Sequence, residues 1–143
     1  MSPLSIAASS GDLFLFKYLM EAKTEDFFTS KFLNGNTPFH LAAYLGKHDI
    51  CEVMIEKSKG IPMDDFGYTP LHCAAEQGDF DICELFLKWL VDKNPTSNSG
   101  STPFHVAAKQ GHFYVCDLIM KLGLVPIYTV EHISKNRQCG REN

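Results

Sequence analysis

The ten-residue stretch Thr69 to Gly78, TPLHCAAEQG, constrains this chain most, because much of the remaining sequence is built from near-copies of it. It recurs as TPFHLAAYLG from Thr37 to Gly46, as TPFHVAAKQG from Thr102 to Gly111, and in weaker form as SPLSIAASSG from Ser2 to Gly11. The prolines Pro3, Pro38, Pro70 and Pro103 are spaced by 35, 32 and 33 residues, and each is followed eight residues later by a glycine. A period in that range marks units that cannot bury an apolar face alone and must stack on their neighbours. Within a copy, Thr69 is placed to cap a helix by accepting from the His72 N–H, and Pro70 falls at the first helical position, where a missing N–H costs nothing. Gly78 suits the left-handed residue that ends a helix. Each copy therefore predicts one short helix with its start and stop encoded.

A second apolar segment follows each copy. After Gly11 the run DLFLFKYLM puts Phe16, Leu19 and Met20 at helical spacing. After Gly46, DICEVMIEK gives Ile50, Cys51, Val53, Met54 and Ile55 as a broad apolar face. The third and fourth units repeat this as DICELFLKWL and YVCDLIMKL. Glu52, Glu84 and Asp117 share one polar position, read as a solvated face, and Glu84 with Lys88 forms a favourable i,i+4 pair. Trp89, near the end of its helix, is expected to seal the connecting loop rather than stand exposed. The connectors also match: Ile61 to Gly67 aligns with Asn94 to Gly100, with Pro62 and Pro95 again 33 apart. Pro followed by Asx and Gly is turn chemistry, so these segments are predicted to project as turn-like fingers. In the first unit the segment Glu21 to Gly35 stretches the repeat, and Phe27, Phe28 and Phe32 are expected to pack beneath that longer loop.

A Thr-Pro-Leu-His-x-Ala-Ala core at a period of about 33 residues resembles the ankyrin repeat family, and the resemblance covers roughly residues 2 to 122. It implies an all-α, ankyrin-type solenoid of four stacked helix-turn-helix repeats with projecting β-turn fingers. The expected domain runs over 2–124, with units at about 2–34, 35–66, 67–99 and 100–124. Residues 125–143 are expected to be a C-terminal cap and disordered tail, with Val125 to Ile133 folding back over the last helix pair. The first unit starts abruptly at Ser2, without the turn that should precede it. The chain is therefore read either as starting there or as a piece of something longer.

Composition narrows the function classes. With 143 residues and 45% apolar content the chain can bury a sizeable core. Its net charge of −4 argues against a dedicated binder of nucleic acid or anionic membrane, which would show a basic excess. The apolar run Leu85 to Val91 is broken by Lys88 and is far short of the roughly 20 residues of a spanning helix. Nothing ahead of the first repeat reads as a signal peptide. Of the five cysteines, Cys51, Cys83 and Cys116 fall at one repeat position, spaced 32 and 33 apart. Neighbouring helices pack about 8 to 10 Å apart, beyond the about 7 Å that a disulfide tolerates between Cα atoms. Buried free thiols and an intracellular, cytoplasmic location follow, with a nuclear one also open.

Two constellations invite chemistry and are set aside. His40, His72 and His105 recur with the repeat, yet zinc ligands lie about 2.0 to 2.3 Å from the ion, and the sequence lacks paired ligands such as CxxC or HxxxH. The family resemblance implies instead that these histidines tie neighbouring turns together. The first copy departs from the pattern by carrying Ser5. Cys73 adjoins His72, but adjacent helix positions point about 100° apart, and Cys73 takes the place of Leu41 and Val106, a core position. No phosphate loop, nucleophile elbow or suitably spaced carboxylate pair is present. The chain is expected not to be an enzyme and to need no cofactor or metal.

Binding is written in what varies. Alanine pairs such as Ala42-Ala43 and Ala74-Ala75 are constant, because inner helices must approach closely, whereas the residues just after them and at the turn tips change freely. The expected partner-binding residues are Tyr44, Leu45, Glu76, Gln77, Lys109 and Gln110 at inner-helix ends. At the finger tips they are Asp65, Phe66, Tyr68, Asn98, Ser99 and Ser101. The resemblance implies that both sets line one concave face, with Tyr44, Leu45, Phe66 and Tyr68 as its apolar centre. The competing reading is that Phe66 and Tyr68 pack on neighbouring turns. The expected function is non-catalytic protein–protein interaction, by a monomer or by part of a larger chain, without nucleic acid or direct membrane insertion. The alternative is an intracellular ankyrin fragment of a larger channel or signalling protein, serving intramolecular packing and regulation.

Overall fold

Histidine replaces the usual acidic residue in the cap that starts each later inner helix. In the computed structural model, which describes residues 2–22, 31, 33–57, 60–90 and 92–122, the inner helices are α1 (Pro3–Ser10), α3 (Pro38–Tyr44), α5 (Pro70–Gln77) and α7 (Pro103–Lys109). The Oγ1 of Thr37, Thr69 and Thr102 accepts from the backbone N–H of His40, His72 and His105 at 3.4, 3.4 and 3.3 Å. In return each threonine N–H donates to the histidine Nδ1, at 3.3, 3.1 and 3.1 Å. Two N–H groups that the helix start leaves orphaned are thereby satisfied reciprocally. In α1 the pair is Ser2 and Ser5: the Ser5 N–H donates to Ser2 Oγ at 3.1 Å, and the two hydroxyls meet at 3.0 Å.

The same rings join one unit to the next. With Nδ1 accepting, the neutral imidazole carries its proton on Nε2, which donates from His40 to the Tyr68 carbonyl at 2.7 Å and from His72 to the Ser101 carbonyl at 2.9 Å. The tie that the resemblance implied is thus present between the second and third units and between the third and fourth. Burial lowers the pKa of both histidines, and it outweighs the opposing effects of the carbonyl bonds and of the nearby Asp64 carboxylate.

The outer helices are α2 (Leu13–Glu21), α4 (His48–Lys57), α6 (Phe80–Trp89) and α8 (Phe113–Leu122). Each inner helix packs on its own outer helix, inner helices pack in the order α1, α3, α5, α7, and outer ones in the order α2, α4, α6, α8. Alanines 7, 8, 42, 43, 74, 75 and 107 have no exposed surface, so inner backbones meet across methyl groups. Behind them Phe16, Phe39, Met54, Leu71, Ile82, Phe86 and Ile119 fill the core, with Phe39 and Phe86 edge to face at 5.6 Å. Cys51, Cys73 and Cys83 are buried free thiols, and Cys116 is half-buried. The chain turns from α5 to α6 at Gly78 (φ +73°), where the His112 ring of the next unit occupies the space of a side chain. There His112 Nε2 bonds the Glu76 carbonyl at 2.8 Å.

One expectation meets a different outcome. Trp89 does not seal its loop: it is 69% exposed, while Leu90, where the backbone turns extended, is buried in its stead. The reason is position, since Ala22, Lys57 and Leu122 stand at the same place in their units and none is buried. The expected surface pair Glu84–Lys88 forms at 3.6 Å, Asp117 pairs likewise with Lys121 at 2.9 Å, and both pairs are solvated. Phe27, Phe28 and Phe32, Cys139 and the expected cap at Val125 to Ile133 lie outside the described residues.

Replacing Ala75 by leucine should overpack the α5 contact with its neighbours and cost about 1 to 3 kcal/mol, read as a lower urea midpoint. Acidification tests the histidines. Their folded pKa values lie below the unfolded value of 6.5, so the unfolded chain takes up protons first. Their contribution is complete above pH 6.5 and is lost as pH falls through the folded values. The urea midpoint should therefore drop as pH falls below 6.5, and His72→Gln should make that drop shallower.

Candidate protein-binding face

Hydrogen bonds within and between the fingers pin their backbones. In the finger after α4 the Gly67 N–H donates to the Asp64 carbonyl at 3.0 Å, closing a turn that needs the positive φ (+78°) of Gly67. Asp64 Oδ1 accepts from the Phe66 and Tyr68 N–H groups at 2.9 and 2.8 Å, an Asx turn that locks the loop. The finger after α6 uses Ser97 in the same way: its N–H donates to the Ser101 carbonyl at 2.8 Å, and its Oγ accepts from the Ser101 N–H at 3.1 Å. Successive fingers are then joined tip to tip. The Asp65 N–H donates to the Asn34 carbonyl at 3.0 Å, and the Asn98 N–H donates to the Phe66 carbonyl at 3.0 Å. The Asn98 side-chain amide donates to the Asp65 carbonyl at 3.1 Å.

On this frame the sequence-derived residues fall into two rows. Asp65, Phe66, Asn98 and Ser99 are exposed at the tips, with Phe66 58% exposed. Tyr44 and Leu45 at the end of α3, Gln77 at the end of α5, and Lys109 and Gln110 at the end of α7 are also exposed, and Glu76 is half-buried. An inner helix such as α5, eight residues long, separates the rows by about 12 Å at 1.5 Å rise per residue. Tyr44 and Leu45 therefore stand apart from Phe66 rather than in one cluster with it.

Two residues have structural employment. Tyr68 is half-buried and stacks on the His72 ring, centroids 4.8 Å apart and planes 22° from parallel. Ser101 is half-buried and spends its N–H on Ser97 and its carbonyl on Ser97 and His72. For Tyr68 the packing alternative describes the observed contact, because the finger base must cover the capping histidine. The sequence reading passed over Met63, which is exposed in the same finger as Phe66. Its signal was there: the aligned connector has Thr96, so the position varies between units.

The chemistry available at the histidines is limited. Both ring nitrogens of His40 and His72 are engaged, so neither ring is open to a metal or to a proton on Cys73. Burial pushes the Cys73 thiol up to about 12, with Asp64 and Glu76 acting in the same direction. It is a core side chain and not an activated nucleophile. Among the described residues no three His, Cys, Asp or Glu side chains are grouped to hold a metal ion. Nor is any helix among them long and apolar enough to cross a membrane.

Comparison with known families agrees with this architecture. A family model described as ankyrin repeats (3 copies) matches residues 4–94 and 63–129. The chain belongs to the ankyrin repeat family, whose repeats as a class mediate protein–protein interaction. A search of curated proteins returned no match.

The two aromatic residues of the Phe66 finger should separate on mutation. Phe66→Ala should change stability by no more than about 0.5 kcal/mol, whereas Tyr68→Ala should cost about 1 kcal/mol from lost stacking. Chemical denaturation of both variants checks the difference.

Proposed function

We propose that this chain is a non-catalytic protein–protein interaction module, whose partner rests on the concave side, along the finger tips and the exposed ends of α3, α5 and α7. The observation that carries this reading is Phe66, an aromatic side chain left in solvent while the backbone around it is pinned on both sides by Asn34 and Asn98. An exposed aromatic group costs solubility, and here no packing role accounts for it. A pinned backbone also loses little entropy when a partner arrives. Met63 beside it, with Asp65 and Asn98 around it, supplies the apolar centre and polar surround of an interface hot spot. Tyr44 and Leu45 offer a second contact one helix length away. The net charge of −4 supports a protein partner over a nucleic acid. The free thiols support an intracellular location.

Affinity capture from native cell extract tests the reading, with three baits of equal stability: the wild-type chain, Tyr44→Ala/Phe66→Ala, and Phe113→Ala/Tyr114→Ala on α8. A specific partner should be lost with the first variant and kept with the second. The reverse pattern would move recognition to the outer helices.

A further inference from the structure

The second residue of every outer helix is exposed: Phe14 in α2, Asp49 in α4, Asp81 in α6 and Tyr114 in α8. Because the middle units expose it as fully as the outer ones, its exposure comes from its place in the unit and owes nothing to either end of the stack. At such a position local physics favours an acid, since a carboxylate in the first turn complements the positive end of the helix dipole. Asp49 and Asp81 follow that rule. In contrast, α2 and α8 hold no acid in the first turn and present Phe14, 86% exposed, and Tyr114, 76% exposed. Phe113 stands edge to face with Tyr114, ring centroids 5.7 Å apart, and is itself exposed. Aromatic groups here forgo a local gain and add apolar surface, which is the pattern of a recognition site.

The outer helices pack in the order α2, α4, α6, α8, so the four side chains form one row: aromatic, acid, acid, aromatic. Packed helices lie about 8 to 10 Å apart, which sets the step of the row. A polyproline II segment has three residues per turn and a rise of about 3.1 Å, so its residues three apart share one face at about 9 Å. The two steps coincide. A β-strand alternates its side chains every second residue and would turn residues three apart to opposite sides. Charge narrows the occupant further. One turn beyond Asp49 and Asp81, Glu52 and Glu84 add negative charge, and Lys88 takes up Glu84 alone, at 3.6 Å. His48 meets Asp49 and Glu52 no closer than 3.9 Å, and the Lys47 side chain lies against Gly11 of the first unit. A second copy of this chain would set acid against acid, so the row selects a basic partner instead.

We propose that the starts of the four outer helices form a second docking surface, whose partner is a polyproline II segment of another protein. That segment carries an apolar side chain at each end and a Lys or Arg at each of the two third positions between them. Its apolar ends lie on Phe14 and on Tyr114 with Phe113, since aromatic side chains are what such segments dock on. Its basic residues pair with Asp49 and Asp81. A polyproline II segment is already extended in solution, so it loses little entropy on a row held at fixed spacing.

The probe is the peptide FPPRPPRPPF, titrated into the 143-residue chain and read by amide chemical shifts. Saturable binding is expected, with the shifts centred on the first turns of α2, α4, α6 and α8. The acid-centred peptide FPPEPPEPPF should bind at least about tenfold more weakly, and so should FPPRPPPRPPF, whose extra proline breaks the three-residue step. Phe14→Ser/Tyr114→Ser should weaken the basic peptide about tenfold, and an unchanged urea midpoint confirms that this variant is folded. Asp49→Arg/Asp81→Arg should invert the preference in favour of the acid-centred peptide, which a merely adhesive apolar edge would not do. No saturable binding up to about 1 mM, equal binding of the three peptides, or shifts centred on the fingers would overturn the proposal. Two other occupants are also distinguished. Self-association abolished by Phe14→Ser/Tyr114→Ser would assign the row to a second copy, and peptide binding seen only with Lys135→Ser/Arg137→Ser/Arg141→Ser would assign it to this chain's own basic segment. Either result overturns the proposal, and none of these readouts depends on the concave-face partner.

Discussion

The structure depends on a neutral imidazole that does two jobs with two nitrogens. Nδ1 of His40 and His72 completes the cap of its own helix, and Nε2 holds the carbonyl at the base of the next finger. Start of helix and junction between units are therefore one interaction. A charged imidazole has no acceptor, so the arrangement requires the low pKa that burial supplies. Among the described residues no buried side-chain nitrogen or oxygen is left without a partner, which is why polar groups at the heart of the stack are tolerable.

Around that tie, small residues set the spacing and large ones fill it. Buried alanine pairs let α1, α3, α5 and α7 approach, and Phe16, Phe39 and Phe86 occupy the wider gap behind them. At the opposite end of α5 the contact is made differently, with His112 laid against Gly78 and bonded to the Glu76 carbonyl. The third and fourth units are thus fastened at both ends of α5. That leaves the exposed residues at helix ends and finger tips as substituents on a fixed frame, which suits recognition of a partner by shape.

Exposure carries information here only by comparison. Phe66 and Leu15 are both apolar and both reach solvent, yet they differ in meaning. Phe66 stands on a finger tip where residue type varies from unit to unit, whereas Leu15 occupies a position that is aliphatic in every unit and buried in the other three. The first stands where residue type is unconstrained by packing, and the second keeps the residue type that packing selects in the other units.

The sequence by itself determined the helix pairs, their caps, the alanine spacing and the buried cysteines, because each is repeated and each follows from local geometry. A Thr-Pro pair and a glycine eight residues on from the proline write a helix start and stop without reference to anything distant, and the period dictates stacking. It also marked the variable positions. Only the tertiary structure decided which of these are displayed: Phe66 in solvent, Tyr68 on His72, and Tyr44 and Leu45 a helix length away. The same holds for Trp89, whose place near the end of its helix suggested a seal over the connecting loop but which stands where no unit buries a side chain. Periodicity fixes the direction of a side chain around its own helix, whereas burial depends on what the neighbouring unit places opposite it, and only the packed stack contains that fact.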